Sequence, residues 1–274
     1  PALPFVISGM MAGVSIGQLF LAGVMPGILM GATMMATVAW YAHMRNYRAD
    51  AVFSWGRLGS SFVHALLAIM TPVLLIGGMT LGVFTPTEGA IAASAWALFL
   101  GLVWYRTLNW RMLVKISMDT IETTATVLFI VAAASIFGWL LTVTRVTDEV
   151  AAMVLSVSND PNVFLLMANL LLLFVGCFLE PTAAITLLVP ILIPICRTLG
   201  IDLVHFGLVM VLNLMIGLLH PPMGTVLFVL SRVARLSVER TTMAILPWLV
   251  PLLATLLLCT YVPEIVLWLP RNFF

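Results

Sequence analysis

Val204–Ser231 reads VHFGLVMVLNLMIGLLHPPMGTVLFVLS, 28 residues without an Asp, Glu, Lys or Arg. As one unbroken helix it would be roughly 42 Å long, against a hydrocarbon core of about 30 Å. The helix cannot stay unbroken, because Pro221-Pro222-Met223-Gly224 lies inside it. Pro222 removes a backbone donor and pushes the residue before it out of helical dihedrals, while Gly224 accepts almost any backbone angle. Irregular backbone survives in a bilayer only where it is buried in protein or lines a watery cavity. Many secondary transporters build their substrate and ion sites in this way. The plainer reading is a Pro-kinked span with no site.

Composition sets the class. The chain has 274 residues, of which 62% are hydrophobic and 8% charged, and its mean hydropathy is +1.17. A water-soluble domain cannot hide so much apolar surface, so an all-α polytopic membrane protein embedded in a lipid bilayer is expected. A net charge of +1 gives no reason to expect a nucleic-acid partner. Cys177, Cys196 and Cys259 all lie in apolar stretches and read as buried thiols rather than a disulfide framework. The sequence opens on Pro1 inside an apolar element and is read as the C-terminal portion of a longer polypeptide.

Working outward, a short apolar element (Pro1–Ala12) leads through Gly13–Gly17 into a helix of about Leu19–Ala42, ended by HMRNYR at His43–Arg48. Runs at about Ser61–Leu81 and Thr87–Tyr105 form a pair whose turn, Thr85-Pro86-Thr87-Glu88, has the pattern of a capping box with Pro at the first helical position. The next helix, about Met118–Leu141, carries Thr120, Thr123, Thr124 and Thr126, which either bond back to their own helix or hold a neighbour. Val150–Ser158 reads as a short interfacial segment. Pro161–Cys196 holds a single charge, Glu180, followed by Pro181. Split there, it gives two legs of roughly 22–27 Å, short of a full crossing, so a re-entrant hairpin is expected. The last helix, about Thr242–Leu269, is expected to be interrupted by Pro247 and Pro251. Basic residues at 45–57, 106–115 and 232–240 place those loops on the cytoplasmic side, and 144–161, 197–203 and the C-terminus on the other.

An internal repeat is visible. Pro1 and Pro26 are 25 residues apart, as are Pro222 and Pro247, and each interval holds a short half-helix, a link and the start of a long helix. The first link is uncharged and the second carries three arginines, which gives the copies opposite orientations. Inverted repeats are common in transporter folds.

The strings GVSIGQLFLAGVMPG (13–27), GVFTPTEGA (82–90), FLEPTAAITLLVPILIP (178–194) and GIDLVHFGLVMVLNLMIGLLHPPMG (200–224) resemble the large membrane subunit of TRAP transporters, the tripartite ATP-independent periplasmic family. The resemblance runs the length of the chain. It implies an inverted-repeat, elevator-type transporter of the bacterial inner membrane, built from re-entrant hairpins and broken helices. It also implies Na⁺-coupled uptake of organic acids of the C4-dicarboxylate or sugar-acid class, with no cofactor beyond the coupling ion. The expected partners are a soluble periplasmic substrate-binding protein and a small membrane subunit. On this reading residues 1–17 end the first broken helix and 18–60 are a transmembrane helix with a cytoplasmic loop. Residues 61–117 are the capped helical pair, 118–160 a helix with a periplasmic segment and 161–203 the second hairpin. Residues 204–240 hold the second broken helix, and 241–274 the C-terminal helix.

The resemblance makes Phe178–Ala183 the hairpin tip and His220–Gly224 the break. Half-helices starting near Thr182 and Met223 would then aim their N–H groups at a substrate carboxylate, so Thr182, Ala183, Met223, Gly224 and Thr225 are the substrate-binding candidates. The half-helices ending near Leu179 and Leu219 would offer carbonyl oxygens to Na⁺, with Glu180, Asn213, Gly217, His220 and Pro221 as the ion-binding candidates. Asn213 has the alternative role of bridging helices. Glu180 has three open roles: balancing Na⁺, taking a proton, or capping the second leg. A proton- or Na⁺-coupled single-chain carboxylate carrier of related fold is the alternative function. An intramembrane hydrolase is disfavoured, since Ser135, Ser231 and the four histidines form no recognised catalytic motif and no HExxH occurs, so no enzyme is expected.

Overall fold

The computed structural model describes residues 3–47, 53–221 and 223–273, apart from the side chains of Thr142, Asp148 and Thr225. Pro1 and Pro222, which anchor the repeat and the break, and Arg48 of the first basic loop lie outside the described residues. All regular structure among the described residues is helical. In chain order the helices are α1 (Leu3–Ala12), α2 (Ile16–Ala22), α3 (Val24–Met44), α4 (Trp55–Thr80), α5 (Pro86–Phe99, prolonged by a π-helical turn Leu100–Trp104) and α6 (Trp110–Val143). There follow α7 (Val146–Val157), α8 (Pro161–Gly176), α9 (Pro181–Thr198), α10 (Leu203–Gly217), α11 (Thr225–Ala234), α12 (Val238–Tyr261) and α13 (Pro263–Phe273).

Six of the described helical stretches are long and apolar enough to cross a bilayer: residues 16–44, α4, residues 86–104, α6, α9 and α12. The chain is a polytopic helical membrane protein. It divides into two compact units, residues 41–126 and residues 2–40 with 127–274.

In the first unit α4 and α5 pack as an antiparallel pair. Trp96 Nε1 donates to Leu67 O at 3.0 Å, and the Tyr105 hydroxyl donates to His64 O at 2.9 Å. The turn between them carries the expected capping box: the Glu88 carboxylate accepts from the Thr85 N–H at 2.8 Å while Glu88 N donates to Thr85 Oγ1 at 3.3 Å. Leucines, valines and phenylalanines on α4 such as Phe62, Val63, Leu66 and Val73 are exposed, as lipid-facing side chains are. The Thr120, Thr123 and Thr126 hydroxyls bond back to carbonyls four residues earlier.

The second unit is organised around α10. Twelve of its fifteen residues are buried, against one of twenty-six in α4. It packs on α1, α2, α8, α9, α12 and α13. The core joins Ile7 of α1, Leu172 of α8, Ile185 and Ile195 of α9, and Phe206 and Met210 of α10. At 15 residues α10 spans only about 22 Å, so it does not cross a bilayer by itself. His205 bridges to α12, its Nε2 lying 2.8 Å from Cys259 O. The chain bends by 116° between α7 and α8, at Ser158–Asp160, and turns from α8 into α9 through Cys177–Glu180.

The C-terminal region departs from expectation. Pro247 and Pro251 lie inside α12 without ending it. Each removes one backbone donor only, a loss that a membrane helix tolerates. The interruption falls instead at Val262, held extended (φ −120°, ψ 79°) before Pro263, so the single helix expected to reach Leu269 is two, α12 and α13.

Candidate functional site

α8 and α10 run side by side in the same direction. Their first turns meet at Phe164 and Phe206, with ring centroids 6.0 Å apart. Midway, Asn213 Nδ2 donates to Asn169 Oδ1 at 2.6 Å. At their C-termini the backbones touch through two glycines. A Cβ on Gly217 would lie 2.7 Å from both Cα and C of Gly176, and a Cβ on Gly176 would lie 3.2 Å from Cα of Gly217 and of Leu214. Only glycine permits this approach.

Both helices therefore stop at the same place. The apolar run of α10 begins on an Asp202 cap, whose carboxylate accepts from Val204 N at 2.8 Å and His205 N at 3.1 Å. It ends as the hydrogen bonds tighten to the 3₁₀ pattern, Leu219 N to Ile216 O at 2.9 Å and His220 N to Gly217 O at 3.0 Å. Beyond the break, Gly224 N donates to His220 O and Val226 N to Leu218 O, both at 3.2 Å. A Cβ on Gly224 would collide with Leu218 O and lie 2.9 Å from His220 O, so this position too requires glycine. The end of α8 meets the break directly. Cys177 Sγ lies 3.5 Å from His220 Nδ1 and 3.8 Å from Pro221 O, and His220 Nδ1 lies 2.6 Å from Pro221 O.

The structure thus brings Asn213, Gly217, His220 and Pro221 together along the α8–α10 contact. Two helix C-termini at one point sum their negative dipole ends, each worth about half a charge, and favour a cation. The carbonyls of Leu218 and His220 are not bare, contrary to expectation: each accepts one N–H from the start of the second half-helix. Each keeps a second lone pair. Glu180, Thr182 and Ala183 form a separate cluster at the start of α9. The Glu180 carboxylate caps that helix, accepting from Ala183 N at 3.2 Å and from the Thr182 hydroxyl at 2.9 Å. The donors expected to be free for a substrate are thus engaged by Glu180. Met223 is exposed and Gly224 is the N-cap of α11, while the Thr225 side chain lies outside the described residues.

Sequence reasoning passed over Asn169, Gly176, Cys177 and Thr260. Asn169 was detectable by the signal that marked Asn213, an amide inside an apolar leg. Among the described residues no three His, Cys, Asp or Glu side chains come together as a metal cluster. The oxygens at the α8–α10 ends are amide and carbonyl oxygens, the hard ligands that suit Na⁺.

Residues 1–265 match the family described as tripartite ATP-independent periplasmic transporter, DctM component. The chain is 42% identical over 273 residues to the sialic acid TRAP transporter large permease protein SiaM of Vibrio cholerae, covering 100% of this chain and 64% of that protein. It is 39% identical over 269 residues to the isethionate TRAP transporter permease protein DctMQ of Oleidesulfovibrio alaskensis, covering 97% and 42%. It is 37% identical over 271 residues to the C4-dicarboxylate TRAP transporter large permease protein DctM of Pseudomonas aeruginosa, covering 99% and 64%. The chain therefore spans less than two thirds of the length of these relatives.

Proposed function

The chain belongs to the DctM component family of tripartite ATP-independent periplasmic transporters, multi-pass proteins of the bacterial inner membrane, and from that premise we propose that it serves Na⁺-coupled uptake of an organic acid. The observation that carries this reading is the meeting of two helix C-termini at Gly176 and Gly217, with the Cys177–His220–Pro221 contact beside them. The relatives are named for sialic acid, isethionate and C4-dicarboxylate, all anions, which supports an anionic substrate here.

In this reading Na⁺ is held by Asn213, Gly217, His220 and Pro221, with Glu180, at the start of α9, balancing its charge. The substrate carboxylate takes Thr182, Ala183, Met223, Gly224 and Thr225, displacing the Glu180 carboxylate from the first two. No Lys or Arg occurs between Arg145 and Arg197 or between Arg197 and Arg232. Positive character for the substrate then comes from the N-termini of α9 and α11 and from Na⁺ itself. Substrate and Na⁺ attract each other where water is excluded, and that attraction is the coupling. A periplasmic binding protein delivers the substrate and a small membrane subunit completes the assembly. The fusion implied by the name DctMQ supports the second partner. Inverted repeats and elevator-like movement of the unit containing α8–α11 complete the proposal, with the loops at 106–115 and 232–240 on the cytoplasmic side.

The test is uptake of a labelled organic acid into proteoliposomes containing the full complex and its binding protein. Uptake should require a Na⁺ gradient and collapse when K⁺ replaces Na⁺. Robust uptake at zero Na⁺ under an imposed proton gradient would overturn the Na⁺ reading.

A further inference from the structure

Three buried polar side chains from three helices form a directed chain beside the α8–α10 ends. Thr260 of α12 donates its hydroxyl proton to Leu256 O at 2.8 Å. Its oxygen accepts from Asn169 Nδ2 at 3.2 Å, and the same Nδ2 also donates to Leu165 O at 2.9 Å. Asn169 Oδ1 in turn accepts from Asn213 Nδ2 at 2.6 Å, and Asn213 Nδ2 also donates to Val209 O at 2.7 Å. Asn213 and Thr260 are fully buried and Asn169 nearly so.

Neither amide can be reversed. Turning Asn213 would set its oxygen against two acceptors, Asn169 Oδ1 and Val209 O; turning Asn169 would set its oxygen against Leu165 O. Between helices the amide donors run from α10 to α8 to α12, with the Thr260 hydroxyl also approaching Asn169 Oδ1 at a longer 3.5 Å. The cost of that order falls on the far end, where Asn213 Oδ1 is buried with no hydrogen-bond partner. A buried carbonyl oxygen without a donor calls for a water or an ion. Asn213 stands one helical turn before Gly217, on the face of α10 that meets α8, where two helix C-termini already favour positive charge.

We propose that Asn169 and Thr260 are positioning residues that hold the Asn213 carbonyl oxygen as a ligand for the coupling cation. They act as the outer partners of a metal ligand do, fixing its orientation without touching the ion. The inference rests on the Na⁺ reading above and adds to it the residues that orient the ligand. Asn169 has a second consequence: α8, α10 and α12 must move together, because the chain spans all three.

The test is the Na⁺ dependence of uptake by the full reconstituted complex for Thr260→Val and Thr260→Ser. Valine keeps the shape but removes the acceptor on α12, leaving the Asn169 amide held only by Leu165 O. It should raise the Na⁺ concentration for half-maximal uptake about tenfold, the equivalent of about 1.4 kcal/mol. Serine should restore it, and the substrate concentration for half-maximal uptake at saturating Na⁺ should move far less in either variant. Asn169→Leu should shift the Na⁺ curve further in whatever fraction folds. If wild-type uptake follows Na⁺ but Thr260→Val leaves the Na⁺ curve in place, Asn213 Oδ1 holds only a water and the proposal is overturned. If wild-type uptake ignores Na⁺, the coupling reading falls and this one with it.

Discussion

Gly217→Ala is expected to lower Na⁺-driven uptake by about two orders of magnitude, on the scale of a 1 Å misplacement in a preorganised site. The added methyl would lie 2.7 Å from Cα and C of Gly176 and 3.0 Å from its carbonyl oxygen. These are backbone atoms, with no side chain to swing aside, so the two helix ends must part. Overpacking of this kind also costs about 1–3 kcal/mol of stability. The protein should nevertheless reach the membrane, because the core around Phe206 and Met210 lies two turns or more away. Gly176→Ala meets its nearest atoms at 3.2 Å and should be the milder of the two. Uptake normalised to protein in the membrane gives the ranking. Wild-type rates in Gly217→Ala would remove the functional significance of the glycine contact.

Glu180→Gln has the second largest expected effect. The wild-type carboxylate sits on the Thr182 hydroxyl and the Ala183 N–H, the donors a substrate carboxylate needs. A neutral amide keeps an acceptor for the cap but gives up the charge. Loss of a helix cap costs about 0.5–2 kcal/mol, so part of that cost is spared by glutamine. The Na⁺ dependence of uptake should become shallower, because the negative charge proposed to balance the ion has gone, while the substrate displaces the neutral side chain more readily. Unchanged Na⁺ dependence with lower protein levels would reduce Glu180 to a cap.

Local chemistry made much of this legible in advance. Thr85 and Glu88 close a capping box because both partners lie within four residues of sequence. Glu180-Pro181 marks a helix start for the same reason: Pro at the first position and an acceptor before it. The break in Val204–Ser231 follows from the prolines and Gly224. Pro247 and Pro251 misled because a single proline in a membrane helix removes only one hydrogen bond. The interruption at Val262 depends on how Pro263 starts α13 against α2 and α10, a tertiary matter. Asn169 and Asn213 are 44 residues apart, and no spacing rule pairs them. The direction in which Glu180 folds back is likewise a choice among rotamers that only the surrounding helices settle. The two units also interleave in sequence, since residues 2–40 join 127–274, and a reading by consecutive stretches does not see that.

The central claim is that Na⁺ binds where the ends of α8 and α10 meet. Cys177 stands there, nearly buried against His220, whereas Cys196 and Cys259 are fully buried elsewhere in the second unit. A cation held at that point favours the arrangement in which the two helix ends touch and lowers the population in which the thiol is open to reagent. Labelling of the purified complex with a small maleimide, resolved peptide by peptide by mass spectrometry, compares Na⁺ with K⁺ at equal ionic strength. Na⁺ should slow modification of Cys177 several-fold while Cys196 and Cys259 stay unmodified in both salts. Equal rates at Cys177 in Na⁺ and K⁺ would contradict a Na⁺ site at the meeting of the two helix ends.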